Sequence, residues 1–272
     1  MTSVLLTGAT GLVGSRLLPR LVDAGLHCRA LLRRDTELPA GVIGVRGDLA
    51  DSGSLREAVE GVDAVIHLAA LFRTEDEDAI WRANRDGTRH LTQAVSAYAP
   101  QARLVMASTS NVYDADALRP GREDDAATPT AAYPASKLAA EALLRDSDLT
   151  WAILRLPFVY GDGDGHIEAI PALVPRFGLH PAHTYSVAHH RDVAIAVRLA
   201  LTGVMDDRIV NITDDAPVTV YELTQYAGHP VDGSSEPLVN PWSGRMDGSL
   251  ARQLGFAPTV PTIHAAAREG LL

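Results

Sequence analysis

Short apolar runs recur along the chain at 4–6, 30–32, 42–45, 64–67, 104–107 and 151–154. Such brief runs read as buried parallel strands. Between most of them the apolar positions return at helical spacing, most clearly at Leu12, Val13, Leu17, Leu18, Leu21 and Val22. Strands alternating with helices predict an α/β fold built on a parallel, doubly wound sheet. In such sheets ligands bind outside the carboxyl ends of the strands. Gly14, Ala69, Thr109 and Pro157 stand at or just beyond those ends and are expected to converge on one crevice. Residues 114–129, rich in charge, Ala, Pro and Gly, read as a surface loop over it. After Tyr160 the pattern loosens and Pro and Gly become frequent. The expected division is a dinucleotide-binding domain over 1–160 and a small substrate lobe over 161–272, with segments near 184–212 returning to the core. A helix from Arg191 through Leu201 and a late strand at Val210, Asn211 and Ile212 belong to that return.

The turn after the first strand carries the first chemistry. Gly8-Ala9-Thr10-Gly11-Leu12-Val13-Gly14 lies between strand and helix, the context that a dinucleotide site needs. Gly8 allows the tight turn, Gly11 lets backbone approach a pyrophosphate, and Gly14 lets the helix pack on the strand. The helix N-terminus offers unpaired N–H groups and partial positive charge to the phosphates. Thr10, Leu12 and Val13 complete the loop. An NAD site usually places an acid at the end of the second strand, about 20 residues further on. Leu32 holds that place here, Arg33 and Arg34 follow, and Asp35 lies just beyond. Arginines there suit a 2′-phosphate through charge-assisted hydrogen bonds. NADP is therefore the expected cofactor, with NAD the alternative.

Tyr133 and Lys137 stand four residues apart in Tyr133-Pro134-Ala135-Ser136-Lys137, on one face of a predicted helix. An ammonium beside a phenol favours the phenolate, so Lys137 is expected to draw the Tyr133 pKa down and make it an acid/base group.

With these residues the chain resembles the extended short-chain dehydrogenase/reductase family, also called the NAD-dependent epimerase/dehydratase family. Motifs similar to the family's run in order along about two thirds of the sequence: the glycine loop, Gly47-Asp48-Leu49, His67-Leu68-Ala69-Ala70, Asn84 with Gly87-Thr88, Ser108-Thr109-Ser110-Asn111-Val112-Tyr113, the Tyr133–Lys137 pair, and Leu154-Arg155-Leu156-Pro157-Phe158-Val159-Tyr160-Gly161. The resemblance implies a Rossmann-type fold and assigns roles. Asp48 and Leu49 would meet the adenine, and Leu68, Ala69 and Ala70 would pass beside the cofactor. Pro157, Phe158 and Val159 would line the nicotinamide, and Asn84 would support the site. Thr109, Tyr133 and Lys137 would be catalytic: Tyr133 moves the proton, Lys137 binds the nicotinamide ribose, and Thr109 fixes the reacting oxygen. Leu71, Arg73, Ser110 and Asn111 are expected beside the substrate, with Thr109 and Tyr133.

The departures from the family pattern narrow the chemistry. Ser110 and Asn111 replace the Asp-Glu of the family's dehydratases, which argues against 4,6-dehydration. Leu32 lacks the strand-end acid of its NAD-holding epimerases. The leading expectation is an NADPH-dependent reductase or dehydrogenase acting on a carbonyl or hydroxyl carbon. A nucleotide-sugar epimerase with tightly held NAD is the alternative, and a non-catalytic NADP sensor the third. Relatives commonly dimerise through two helices, about 83–98 and 135–145 here, so a homodimer is expected.

Composition adds exclusions. The net charge of −10 disfavours nucleic acid as a partner. Cys28 is the one cysteine and cannot form an internal disulfide, which fits a reducing compartment. No apolar run is long enough to span a bilayer, and the N-terminus enters the first strand without a signal pattern, so a cytoplasmic protein is expected. His180, His183, His189 and His190 lack the spacing and Cys partners of a metal site, and none is expected.

Overall fold

The structure, a computed structural model, describes residues 2–272. The apolar runs become strands β1 (Ser3–Thr7), β2 (His27–Leu32), β3 (Ile43–Arg46), β4 (Ala64–His67), β5 (Arg103–Thr109) and β6 (Trp151–Leu156). Three short strands follow outside the main sheet: β7 (Phe158–Tyr160), β8 (Thr184–Tyr185) and β9 (Val187–His189). The chain then returns with β10 (Arg208–Asn211). Among the described residues the main sheet has seven parallel strands in the order β10-β6-β5-β4-β1-β2-β3. The strand order reverses between β1 and β4, and this switch point is where a doubly wound sheet opens its crevice. β7 pairs with β9, and β8 pairs with the last strand, β11 (Val218–Thr219).

Alternating side chains of the strands feed two cores. Val4 and Leu6 of β1 join Leu17, Leu18 and Leu21 of the Leu12–Asp23 helix and Val193 and Val197 of the His190–Leu201 helix. Leu5 points to the other face, with Leu91 and Val95 of the Gly87–Tyr98 helix and Ala140 and Leu144 of the Ala132–Arg145 helix. This period of two explains why the strands carry unbroken apolar runs: both faces are covered. A third cluster, including Tyr160, Ile167, Ile170, Val218, Leu223 and Ile263, lies in the C-terminal part of the chain.

The segment expected as one helix over 83–98 differs from expectation. It begins with a π turn, Arg82–Asp86, before the Gly87–Tyr98 helix. Such turns are often found at functional sites, and this one carries Asn84. Among the described residues, no helix is long and apolar enough to cross a membrane.

Candidate active site

The glycine loop sits at the carboxyl end of β1. Gly8 has φ +73°, and a Cβ there would lie 2.7 Å from the Ala69 nitrogen. A Cβ on Gly14 would come within 2.0 Å of the Gly8 carbonyl oxygen, so only glycine lets this helix pack so close to the turn. Gly11 caps the Leu12–Asp23 helix with extended backbone and no side-chain hydrogen bond, and the first turn holds no acid. The helix end is thus electropositive and uncapped by any side chain, which fits a pyrophosphate. Thr10 and Leu12 are exposed beside it, while Val13 is half-buried against the core. At the ends of the next strands, Arg33 and Arg34 are exposed and Leu32 is buried. Asp48 Oδ1 accepts the Ala50 N–H, and the Leu49 carbonyl bonds His90 Nδ1.

A directional chain of hydrogen bonds fixes the segment after β4. The Ala69 N–H donates to Thr7 Oγ1 at 3.2 Å, and Thr7 Oγ1 lies 2.7 Å from His67 Nδ1. On the other side His67 Nε2 lies 3.0 Å from Thr88 Oγ1, and that hydroxyl donates to the Asn84 carbonyl. Since Thr88 spends its proton on Asn84, His67 Nε2 donates to Thr88, and in the neutral ring Nδ1 accepts from Thr7. Burial pushes the His67 pKa down to about 3, helped by the charge of Lys137. Leu68 and Ala69 are held at the crevice by this chain, with Leu68 N–H also bonded to the Thr7 carbonyl.

Beyond β5, Thr109 meets Tyr133, and Lys137 lies one turn further along the same helix. Thr109 ends the strand, buried, and its Oγ1 accepts the Asn111 N–H at 3.1 Å. Ser110 and Asn111 form the turn that follows. Tyr133 is in the first turn of the Ala132–Arg145 helix, close enough to the Thr109 hydroxyl for that group to draw its pKa down. The net shift is nonetheless upward, because burial dominates. This corrects the expectation that Lys137 activates the phenol in the resting protein. The Lys137 side chain is only 2% exposed, and its charge is felt by His67 and Glu141 inside the protein. Burial lowers the Lys137 amine to about 8, against the opposing pull of Glu141.

Glu141 belongs to a buried polar brace. It accepts Ser108 Oγ at 2.5 Å and forms a two-pronged pair with Arg155, Nη2 to Oε2 at 2.8 Å and Nε to Oε1 at 3.1 Å. Arg155 Nη1 donates to the Tyr113 hydroxyl, which donates to Asn211 Oδ1 at 2.6 Å. The brace ties the catalytic helix to β5, β6 and β10.

Two residues expected at the cofactor are occupied inside the protein. Asn84 is fully enclosed: its carboxamide brackets the backbone of Leu71 on both sides and donates to Ser136 Oγ. It pins Leu71 to the Ala132–Arg145 helix. Val159 is buried in the core, and its carbonyl takes His166 Nδ1. Pro157 and Phe158 follow β6, with the Phe158 ring stacked on His166 at 4.1 Å. Ala70 and Leu71 are in the segment that Asn84 holds, and Arg73 is exposed, its charge reaching His166. His189 and His190 serve internal contacts, to the Leu271 carbonyl and to Asp164.

Sequence reasoning missed Glu141 and His166, while Phe72, expected with Leu71 and Arg73 near the cleft mouth, has its ring 4.3 Å from that of Tyr133. Glu141 carried a signal: 133, 137 and 141 form one helical stripe.

Comparison with known proteins agrees with this geometry. The model of the NAD dependent epimerase/dehydratase family matches residues 4–213. A ceramide reductase of Caulobacter vibrioides is 33% identical over 165 residues, covering 59% of this chain but only 47% of that protein. The 4-hydroxy-2-methyl-3-oxo-4-farnesyl-3,4-dihydroquinoline-1-oxide ketoreductase of Stigmatella aurantiaca is 31% identical over 230 residues, 78% of this chain and 68% of that one. The solved structure of MoeE5 in complex with UDP-glucose and NAD superposes with a TM-score of 0.78 at 28% identity, covering 98% of this chain and 99% of that one.

Proposed function

Because the chain belongs to the NAD dependent epimerase/dehydratase family and is an NAD(P)-dependent enzyme of the extended short-chain dehydrogenase/reductase type, we propose that it is an NADP-dependent reductase or dehydrogenase of a small-molecule carbonyl or alcohol. The observations that support this reading are the Thr109 hydroxyl against Tyr133, with Lys137 one turn along the same helix, and an uncapped glycine-loop helix.

When bound, the nicotinamide supplies or takes the hydride. The residues of the chain do the rest. Tyr133, its pKa raised by burial, stays protonated at neutral pH and donates its proton to the carbonyl oxygen as that oxygen gains charge. The Thr109 hydroxyl bonds the same oxygen and holds it in place. Lys137, still largely protonated at neutral pH, stabilises the phenolate that Tyr133 leaves and binds the nicotinamide ribose. Leu68 and Ala69, fixed through His67, present backbone to the cofactor. Arg33 and Arg34 bind the 2′-phosphate, with Leu32 at the strand end where an NAD site would carry an acid.

Ceramide and a farnesylated quinoline both have long apolar bodies. Phe72 over Tyr133 and Phe158 beside His166 offer aromatic surface of matching character. A carbonyl compound with an apolar body is the favoured substrate. The Leu138, Ala139, Ala142 and Leu143 positions of the catalytic helix suit a homodimer contact, and a monomer mass by light scattering would remove that part of the reading.

The test is Tyr133→Phe, assayed as NADPH oxidation across a panel of apolar ketones. Turnover should fall at least 100-fold, in line with loss of a general acid (about 10²–10⁴-fold), while NADPH binding persists. Unchanged turnover would remove Tyr133 from the mechanism. A second reading is favoured by MoeE5, whose complex contains UDP-glucose and NAD: an epimerase that keeps NAD through its cycle. NAD co-purifying with the protein would move that reading to first place. A sensor without catalysis has no need of the Thr109–Tyr133–Lys137 set.

A further inference from the structure

We infer that Arg46 is a third member of the 2′-phosphate site, and that Asp35 occupies it in the absence of cofactor. This rests on the NADP reading above and adds to it a residue from a different strand.

The argument starts from register. In the parallel pairing of β2 and β3, Leu32 lies opposite Arg46, so the last residues of both strands end side by side. The Gly47 N–H then bonds the Leu32 carbonyl, which keeps the two strand ends together. Arg33, Arg34 and Asp35 follow Leu32 directly, and all three are exposed. The Arg46 guanidinium reaches over to this turn, with Nη1 3.5 Å from Asp35 Oδ1. Three cations and one carboxylate therefore gather at the carboxyl ends of β2 and β3. In a doubly wound sheet that edge of the crevice receives the adenosine ribose.

Asp35 stands close to where an acid would hold the hydroxyls of an NAD ribose. Its pairing with Arg46 turns the assignment round. The pair is long and open, with side chains 63% and 98% exposed, so little free energy holds it. A phosphate monoester carries about −1.5 to −2 charge at pH 7 and offers three strong acceptors. It outcompetes a single carboxylate for Arg46, and Asp35, which has 98% of its side chain in water, swings clear. An NAD ribose carries no such charge and leaves the Arg46–Asp35 pair in place. Arg46 thus exchanges its loose contact with Asp35 for the phosphate when NADP binds.

Calorimetry with adenosine 2′,5′-bisphosphate and with AMP tests this without any substrate. All the positions are on the surface, so the variants should fold. Wild type should bind the bisphosphate more tightly than AMP. Arg46→Ala should weaken the bisphosphate about tenfold, the effect of one charge-assisted contact, and leave AMP unchanged. Asp35→Asn should strengthen the bisphosphate severalfold by removing the competitor. If Arg33→Ala weakens the bisphosphate and Arg46→Ala does not, the phosphate site stands without Arg46 and the inference falls. If wild type does not prefer the bisphosphate to AMP, the NADP reading falls and takes the inference with it.

Discussion

Lys137 is costly to the resting protein, and removing its charge should make the protein more stable as it destroys activity. The ammonium is 98% buried by area and is flanked by neutral His67 on one side and Glu141 on the other. Glu141 is already paired with Arg155 and Ser108, so it repays only part of the desolvation. Lowering the amine from 10.5 to about 8 means that charging it inside the protein costs about 3 kcal/mol more than charging it in the unfolded chain. Lys137→Met keeps the apolar stem, removes the charge, and leaves Glu141 with its stronger partner. At pH 7 the variant should gain up to about 3 kcal/mol, or roughly 5–10 °C in Tm for a chain of this size, measured on protein without cofactor.

The pH dependence gives the sign check. The folded pKa lies below the unfolded one, so between pH 8 and 10.5 the unfolded chain binds more protons than the folded one, and wild-type stability from this group rises with pH. The advantage of Lys137→Met should therefore be full below pH 8 and vanish by about pH 10.5. Lys137 is also the only lysine in the sequence. Protein grown with side-chain ¹⁵N-lysine gives one ammonium signal, whose midpoint should fall near pH 8. A midpoint at 10 or above, or a variant no more stable than wild type at pH 7, would refute the reasoning.

Three other outcomes follow from the same structure. His67, held near 3 by burial, takes up no proton in the folded state while the unfolded imidazole protonates below 6.5; urea midpoints should show wild type losing about 3 kcal/mol more than His67→Asn between pH 7 and 4.5. Asp214, buried near Asp215 and Asp192, is raised from 3.8 to about 8, so its contribution to stability is lost as pH rises from about 4 to 8, and Asp214→Asn should stabilise the protein at pH 7 by about 4 kcal/mol and hardly at all at pH 4 in thermal melts. Gly14→Ala places a Cβ 2.0 Å from the Gly8 oxygen; the helix must shift, and fluorescence titration with NADPH should show binding reduced at least tenfold.

Much of this was legible in the sequence because the signals are local. The strands of the main sheet stand out as apolar runs since both faces are buried, and the glycine loop stands out since Gly8 and Gly14 meet constraints no other residue satisfies. What escaped depends on contacts between distant segments. For Asn84 a role at the site and a role in helix packing were equally open; its carboxamide bonds the Leu71 backbone and Ser136 from a π turn, a detail no periodicity announces. Glu141 meets Arg155 of β6 and Ser108 of β5, partners far from it in sequence.

The Tyr133–Lys137 spacing was read correctly as one helical face and wrongly as an activated phenol. A helical stripe fixes which residues are neighbours along the helix, but not how deep each one lies. Here the stripe descends from half-buried Tyr133 through Lys137 to fully enclosed Glu141, where Arg155 of β6 meets it. Depth then decides the electrostatics: burial raises the phenol and lowers the amine, and each effect moves its group toward the neutral form. A tyrosine that rests protonated is an acid before it is a base. On the reductive reading proposed above, Tyr133 would give up a proton it already holds and Lys137 would meet the phenolate only as it forms.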